Sequence, residues 1–389
     1  MNKKNISLLL LGSILVLLGV ILFLRRSLPT SNRAIQPTVD QPATGSVTTR
    51  DRQTLSLSTS IVPSSTILDT SQALPATQTA TSSQSDEVLL LVVGDIMLDR
   101  NVAGRTTKSG DTSYPFRQLP EGWLASADLT VGNLEGPVTP TRRPPEKSID
   151  FQFDPSWLPI LKDQGFDAFS QANNHALDQG AIGYADSMSR VRQAGFIAFG
   201  HQVNDGLVAL ATTTVKGERL AFLGWNNTDN PVDLTQAKQV ITRAKAETDL
   251  VIAFLHWGTE YRDRPDAQNV EFAHWLIDQG VDVVIGGHPH WAQGFSTYKG
   301  KPIVWSLGNF IFDQDWSKET QQGLTIGLTI TKDEIRIKPI PISIKLSQPK
   351  LEEGRVLSEH LANLAKVSDD ELKAAVQEGK ELVFLREKK

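Results

Sequence analysis

The chain has 389 residues, 40% of them hydrophobic, and a formal net charge of −5, so it can bury a sizeable core. That mild acidic balance offers no basic surface for nucleic acid, and an anionic ligand would need a local positive centre such as a bound metal. The absence of cysteine excludes disulfides, thiolate metal sites, a cysteine nucleophile and a lipid-modified cysteine.

The first element is the uncharged run Ile6 to Leu24, followed directly by Arg25-Arg26. At about 1.5 Å per residue it spans roughly 28 Å, close to the ~30 Å hydrocarbon core. Residues 1–26 are therefore predicted to be a retained signal anchor, one transmembrane helix. A cleaved signal peptide is the competing reading, but RRSLPTSNRA lacks a convincing small-x-small cleavage site. Basic residues flank both ends of the run, so charge barely decides its orientation. The next stretch, residues 27–86, is rich in Ser, Thr, Pro, Gln and Ala and is predicted to be a disordered linker. Anchor, tether and folded domain together predict a single-pass protein with a cytoplasmic N-terminus and its main domain outside the cell membrane.

From Glu87 the pattern becomes that of a folded domain. EVLLLVVGD reads as a buried strand, and Asp154-Pro155 as an N-cap and first-turn proline opening a helix through Lys162. FDAFSQ and FIAFG are short strands around a helix at about 181–193. VALATTTVKGERLAFLGW reads as two strands about a turn at Lys216-Gly217. A helix at about 234–247 leads into DLVIAFL, and one at about 269–279 into VDVVIGG; after Gln293 the pattern is all-β. Strands alternating with helices predict an α/β fold, with a largely parallel or mixed sheet covered on both faces. The closing hairpins predict a second sheet packed on the first. Residues 346–389 are charged and helix-prone and are predicted to be a peripheral helical tail.

Polar groups collect at the predicted strand ends, where open α/β sheets bind ligands. LLLVVGD stops at Asp95, DLTVGNLE at Asn133 and Glu135, FDAFSQANNH at Asn174 and His175, VIAFLHWG at His256, and VDVVIGGHPH at His288 and His290. Imidazole with carboxylate and amide oxygen suits Mn, Fe or Zn. In a flat strand the two imidazoles of His-Pro-His would share one face. In a loop imposed by Pro289 they could diverge to two ions about 3.5–4 Å apart. His201, His274 and His360 stand outside the pattern and read as ordinary core or surface residues, His274 as a surface pair with Glu271.

The ordered blocks GDIMLDR, GNLEGPVT, ANNHALDQG, HWGTEY, GGHPHWAQG and SLGNFIFD resemble the bacterial capsule synthesis protein CapA family. These poly-γ-glutamate capsule biosynthesis proteins are similar to the calcineurin-like metallophosphoesterases. The resemblance covers residues 87–345 and implies a metallophosphoesterase-like layered sandwich of mixed β-sheets flanked by helices. It implies Asp95, Glu135 and His290 as ligands of a first divalent ion, and Glu135, Asn174, His256 and His288 as ligands of a second. His175 would be the general acid. Arg100, Glu260, Tyr261 and Asn309 are further block residues expected, with Asn133, along the substrate cleft; Arg100 reads equally as an anion partner or a surface salt bridge. One departure is Met97, where those enzymes carry a histidine; a thioether is a poor ligand for such ions, so the first ion is expected to be the weaker, leaving a one-ion or two-ion site. Another is Glu135, one methylene longer than the usual bridging aspartate.

Two functions follow from these readings. One is a metal-dependent hydrolase acting on a phosphoester or related bond in capsule or poly-γ-glutamate biosynthesis. The other is a non-catalytic accessory subunit that binds or exports an anionic capsular polymer beside synthase or export subunits.

Overall fold

The computed structural model describes residues 87–201, 209–228 and 231–387. Their order begins β1 (Val88–Ile96), α1 (Arg100–Ser109), β2 (Leu129–Leu134), α2 (Trp157–Gln164), β3 (Ala168–Ser170), α3 (Gly180–Gln193) and β4 (Ile197–Phe199). It continues with β5 (Leu210–Val215), β6 (Glu218–Asn227), α4 (Leu234–Glu247), β7 (Leu250–Trp257), α5 (Ala267–Gln279) and β8 (Val283–Gly287). The remainder is β9 (Phe295–Tyr298), β10 (Lys301–Val304), β11 (Asn309–Ile311), β12 (Gln322–Ile330), β13 (Glu334–Lys345), β14 (Gln348–Leu351), α6 (Gly354–Lys366), α7 (Lys373–Gln377) and β15 (Leu382–Leu385). The expected anchor (1–26) and linker (27–86) lie outside the described residues. Among those described, no helix is long and apolar enough to cross a membrane.

Two mixed sheets form. One is nine-stranded, ordered β14-β13-β12-β1-β2-β3-β4, with β11 paired to β1 and β15 to β13; the other is six-stranded, ordered β5-β6-β7-β8-β10-β9. Side-chain alternation shows how they stack. In β6, Leu220 and Phe222 join Val88, Leu90 and Val92 of β1 in one core cluster, which also holds Ile252 and Phe254 of β7 and Ile326 and Leu328 of β12. Ala221, Leu223 and Trp225 of the same strand point the other way, onto Val240 and Ile241 of α4 and Phe272 and Leu276 of α5. The far face of the first sheet buries Val93 and Ile96 with Leu161 of α2 and Val191 of α3. Period-two strands buried on both faces thus give a helix–sheet–sheet–helix stack.

Three expectations change. The closing hairpins do not make the second sheet by themselves: β12 pairs antiparallel with β1, so much of the all-β end completes the first sheet, while β5 to β8 found the second. Hydrophobic period fixes which face a strand buries but carries nothing about its pairing partner. The segment after residue 345 is not a peripheral helical tail, because β14 and β15 both pair with β13. The helix expected from Asp154-Pro155 begins at Trp157, since the Asp154 carboxylate caps the Ser156 N–H at 2.8 Å in a turn first. That helix ends on Gly165, whose φ of 98° only glycine adopts freely.

Candidate metal centre

The carboxyl ends of the parallel strands from both sheets converge on one buried cluster. β1 delivers Asp95, β2 leads to Glu135, β7 delivers His256, and the turn after β8 delivers His288 and His290. All five are at most 6% exposed. The approach is close enough to require glycine. A Cβ on Gly287 would sit 2.9 Å from Asp95 Oδ1, and one on Gly94 would strike the Gly308 carbonyl.

The His-Pro-His turn diverges, as a loop there allows. His288 and His290 hold φ of 94° and 58°, a region non-glycine residues enter at a cost of about 1–3 kcal/mol, and this sends their rings to different partners. His288 Nδ1 lies 3.1 Å from His256 Nε2, whereas His290 Nδ1 meets Asn309 Oδ1 at 2.9 Å. Arg100 and Tyr261, on the rim, also hold positive φ, 49° and 61°.

Two groups of donor atoms share Glu135. In the first, ligand atoms of Asp95, Glu135 and His290 all lie within 4.8 Å of one another. In the second, His256 Nε2 lies 2.9 Å from Asn174 Oδ1, 3.1 Å from His288 Nδ1 and 3.9 Å from Glu135 Oε1. Ligand atoms about 2.1 Å from a single ion stand roughly 3.0–3.5 Å apart; Asn174 and His288 stand near that distance from His256, and Glu135 lies further off. Both Glu135 carboxylate oxygens are buried without a hydrogen-bond partner among the described residues.

Electrostatics agree with the geometry. Burial pushes the Asp95 carboxyl up to about 7, against the opposing hydrogen bonds from Asn133 and the His288 N–H. Burial, then the neighbouring Asp95, Glu260 and Asp178 charges, hold Glu135 well above the usual carboxylate range. Burial also pushes His288 down to about 4 and His290 to about 3, and holds His256 well below its ordinary value, with the neighbouring imidazoles adding to the effect. Neutral imidazoles facing carboxylates that lack a countercharge make a set able to hold a divalent metal.

Met97 is absent from this donor set. Its side chain is buried in the apolar cluster under α2 and α3, and its sulfur accepts the Asp99 N–H at 3.1 Å.

The remaining predicted residues fall into two layers. His175 lies within electrostatic reach of His256, His288 and His290; its Nδ1 is 2.7 Å from Asp178 Oδ2, and its ring packs on Phe151 with centroids 4.1 Å apart. Tyr261 stacks on His290 at 5.9 Å, and Glu260 Oε1 is 4.0 Å from His290 Nε2. Arg100 makes a two-pronged ion pair with Asp313, its guanidinium also 5.2 Å from the centre of the Phe151 ring. Asn133 and Asn309, expected along the cleft, lie beneath it instead. Asn133 Nδ2 donates to Asp95 Oδ1 at 2.8 Å and lies 3.2 Å from His256 Nδ1, and Asn309 Nδ2 donates to the Thr320 carbonyl.

Sequence reasoning missed Asn173, Asp178 and Lys147. Asn173 Nδ2 donates to Asn133 Oδ1 and to the Leu134 carbonyl. Asp178 orients His175 and also accepts the Phe151 N–H, while Lys147 Nζ pairs with Asp178 Oδ1 at 2.6 Å and donates to the Asn174 carbonyl. The one available signal was the spacing of Asp178 three residues after His175. Of the three histidines set aside, His360 is buried against Glu352, His274 stacks on Tyr298 at 3.8 Å, and His201 lies edge-on to Tyr184.

The family model described as "Bacterial capsule synthesis protein PGA_cap" matches residues 89–314. The PGA biosynthesis protein CapA of Bacillus subtilis (strain 168) is 30% identical over 284 residues, covering 68% of this chain and 74% of the relative. The capsule biosynthesis protein CapA of Bacillus anthracis is 28% identical over 290 residues, covering 69% and 70%. A probable polyglutamine synthesis accessory protein of Mycobacterium tuberculosis (strain ATCC 25618 / H37Rv) is 27% identical over 251 residues, covering 57% and 66%. Among solved structures, a hypothetical protein from Thermus thermophilus aligns at a TM-score of 0.39 and 15% identity, covering 67% of this chain and 96% of that one. Likeness at that level bears on nothing further.

Proposed function

The chain belongs to the bacterial capsule synthesis protein family, and from that premise we propose that it is a metal-dependent hydrolase of phosphoesterase type serving capsular poly-γ-glutamate biosynthesis, tethered outside the cell membrane by residues 1–26. The observation that carries the reading is Glu135, a buried carboxylate with neither oxygen hydrogen-bonded among the described residues, shared by two groups of donor atoms. Asp95, Glu135 and His290 would hold one divalent cation, and Glu135, Asn174, His256 and His288 a second. A cation so held supplies Lewis-acid charge at neutral pH.

The chain's own residues do the rest. With Asp178 Oδ2 accepting the hydrogen bond from His175 Nδ1–H, the doubly protonated ring would present its Nε2–H to a leaving oxygen and be left as the neutral Nδ1–H imidazole. Lys147 on the other Asp178 oxygen, and Phe151 against the ring, fix that orientation. Asn133 ties Asp95 to His256, so the strand ends of the two sheets are held to one another.

A second reading has its own motive. Met97 contributes no ligand, so the first group has three protein donors, and the protein could hold an anionic polymer or its end without cleaving it. One experiment separates the two: restore a deletion strain with His175→Ala and measure extracellular polymer, beside phosphodiester turnover of the purified protein with Mn, Fe and Zn. Catalysis predicts that polymer stays low and turnover is lost. Full restoration by His175→Ala would refute catalysis and leave the accessory role.

A further inference from the structure

A groove lined by lysines is linked to the metal centre through two aromatic side chains. It starts at Trp316, which is 60% exposed and lies edge-on to Tyr261 at 4.8 Å; Tyr261 in turn stacks on His290. From there a cavity of about 840 Å3 runs along the start of β12, the end of β13 and β14, within the roughly 300–1,000 Å3 usual for ligand clefts. Its sides present Lys318, Lys345 and Lys350, all exposed, and the Gln322 amide, with Leu346 at 58% exposure. The turn between β13 and β14 sets Leu346 outward, with φ of 50° at Leu346 and 66° at Ser347.

The three lysines form no ion pair with any described residue, whereas most basic residues bordering the opposite end of the sheets are paired. Of the two carboxylates along the groove, Glu352 is committed to Ser343 and His360, leaving Glu353 exposed. Ammonium groups for carboxylates, an amide for chain amides and apolar side chains for methylenes are the complement of an acidic polyamide. The setting within a chain of net charge −5 favours local recognition over general affinity for polyanions.

We infer that this groove binds an extended acidic polyamide and leads it past Tyr261 to the metal centre. The inference rests on the poly-γ-glutamate function proposed above and adds the surface that would hold the chain. It is tested with the full chain in non-denaturing detergent, using a fluorescein-labelled oligomer of γ-linked glutamate as the probe and anisotropy as the readout, in chelator and with Mn. The combined Lys318→Glu, Lys345→Glu and Lys350→Glu variant is expected to weaken binding by about tenfold or more, with the affinity of the wild type falling as salt rises. Lys350→Gln gives a smaller loss in the same direction, which guards against misfolding of the triple variant. Lys332→Glu, at the opposite end of the sheets, leaves binding unchanged. Absence of binding by the wild type, equal binding by the triple variant, or equally tight binding of a polyphosphate of matched charge would each overturn the inference. Binding that survives in chelator supports the groove even if no turnover is found. Turnover without oligoglutamate binding removes the groove and leaves the hydrolase standing.

Discussion

At the amino ends of β6, β7 and β8 a cavity of about 800 Å3 is bordered by Lys216, Glu218, Asp249, Asp282, Lys301 and Arg386; at the carboxyl ends of β7 and β8 stand His256 and His288. The first set is partly exposed and paired charge by charge: Lys216 with Asp128 at 2.8 Å, Lys301 with Asp282 at 2.7 Å, Arg386 with Glu218 at 2.5 Å, Asp249 with Arg219 at 2.7 Å. The second set is buried, and Glu135 beside it has no hydrogen-bond partner for either oxygen among the described residues. Both ends are rich in ionisable groups, so charge density does not separate function from structure here. What separates them is whether the fold satisfies its own charges. Where it does, the groups hold the sheets; where burial leaves carboxylates and neutral imidazoles facing each other, the missing countercharge is one that a divalent metal could supply.

The largest effect should come from breaking the unsatisfied end. Asp95→Ala removes a donor and the acceptor for both Asn133 and the His288 N–H. We expect bound metal to be lost and phosphodiester turnover to fall by more than the roughly 10–100-fold typical of a supporting residue, read by elemental analysis and steady-state rates. Asn133→Ala leaves every donor in place but unties Asp95 from His256, so about a 10–100-fold loss in metal affinity or rate is expected. Equal losses in the two variants would mean that Asp95 acts only as an anchor for the strand end.

Much of this centre was readable before any coordinates, because its donors sit at strand ends and strands announce themselves by β-branched apolar runs. EVLLLVVGD and VDVVIGG put Asp95 and His288 at termini that the structure keeps. Pairing across the sheets was not readable: nothing local tells β12 to lie antiparallel to β1 or β15 to return to β13. The supporting layer was hidden for a related reason. The blocks that hold Asn133 and Asn309 put them along the cleft, and only packing shows them buried with both amide ends engaged. Lys147 reaches Asp178 from an irregular loop, which has no period to read.

Glu135→Gln sharpens the contrast, because it should move stability and function in opposite directions. Burial and nearby carboxylates raise the Glu135 carboxyl well above its ordinary 4.5. A raised carboxyl contributes fully below the unfolded value and loses that contribution as pH climbs towards the folded one. The metal-free variant should therefore be the more stable protein, by an amount that grows as pH rises from about 5, on the order of 1–3 kcal/mol. Metal binding should weaken at the same time. Thermal melts across pH in chelator, with metal titrations alongside, check both halves. A variant less stable than wild type at every pH would place Glu135 among the structural charges.

At the satisfied end, effects should be small. Lys301→Ala breaks the pair with Asp282, whose other oxygen accepts the Val251 N–H at 2.9 Å. The expected cost is about 1 kcal/mol or less, with turnover and metal content unchanged. A loss of turnover would mean that the two ends of the strands are coupled and that the division drawn between them fails.

The smallest effect belongs to Asp111, the opposite extreme from Asp95. It lies at the surface, accepts the Ser113 hydroxyl and N–H at 2.7 and 2.8 Å, and pairs with Arg117. Those partners, the Ser113 hydroxyl foremost, hold its carboxyl down at about 2, whereas burial drives Asp95 up to about 7. The sign follows from the direction of the shift. A lowered carboxyl stabilises the fold above its unfolded value near 3.8 and loses that contribution as pH falls towards 2. Asp111→Asn should thus melt slightly below wild type at pH 5 to 7, and the two curves should meet near pH 2. Curves that stayed apart at pH 2 would show that the carboxylate's charge is not what the turn uses, and that satisfying a surface aspartate locally contributes no charge-dependent stability here.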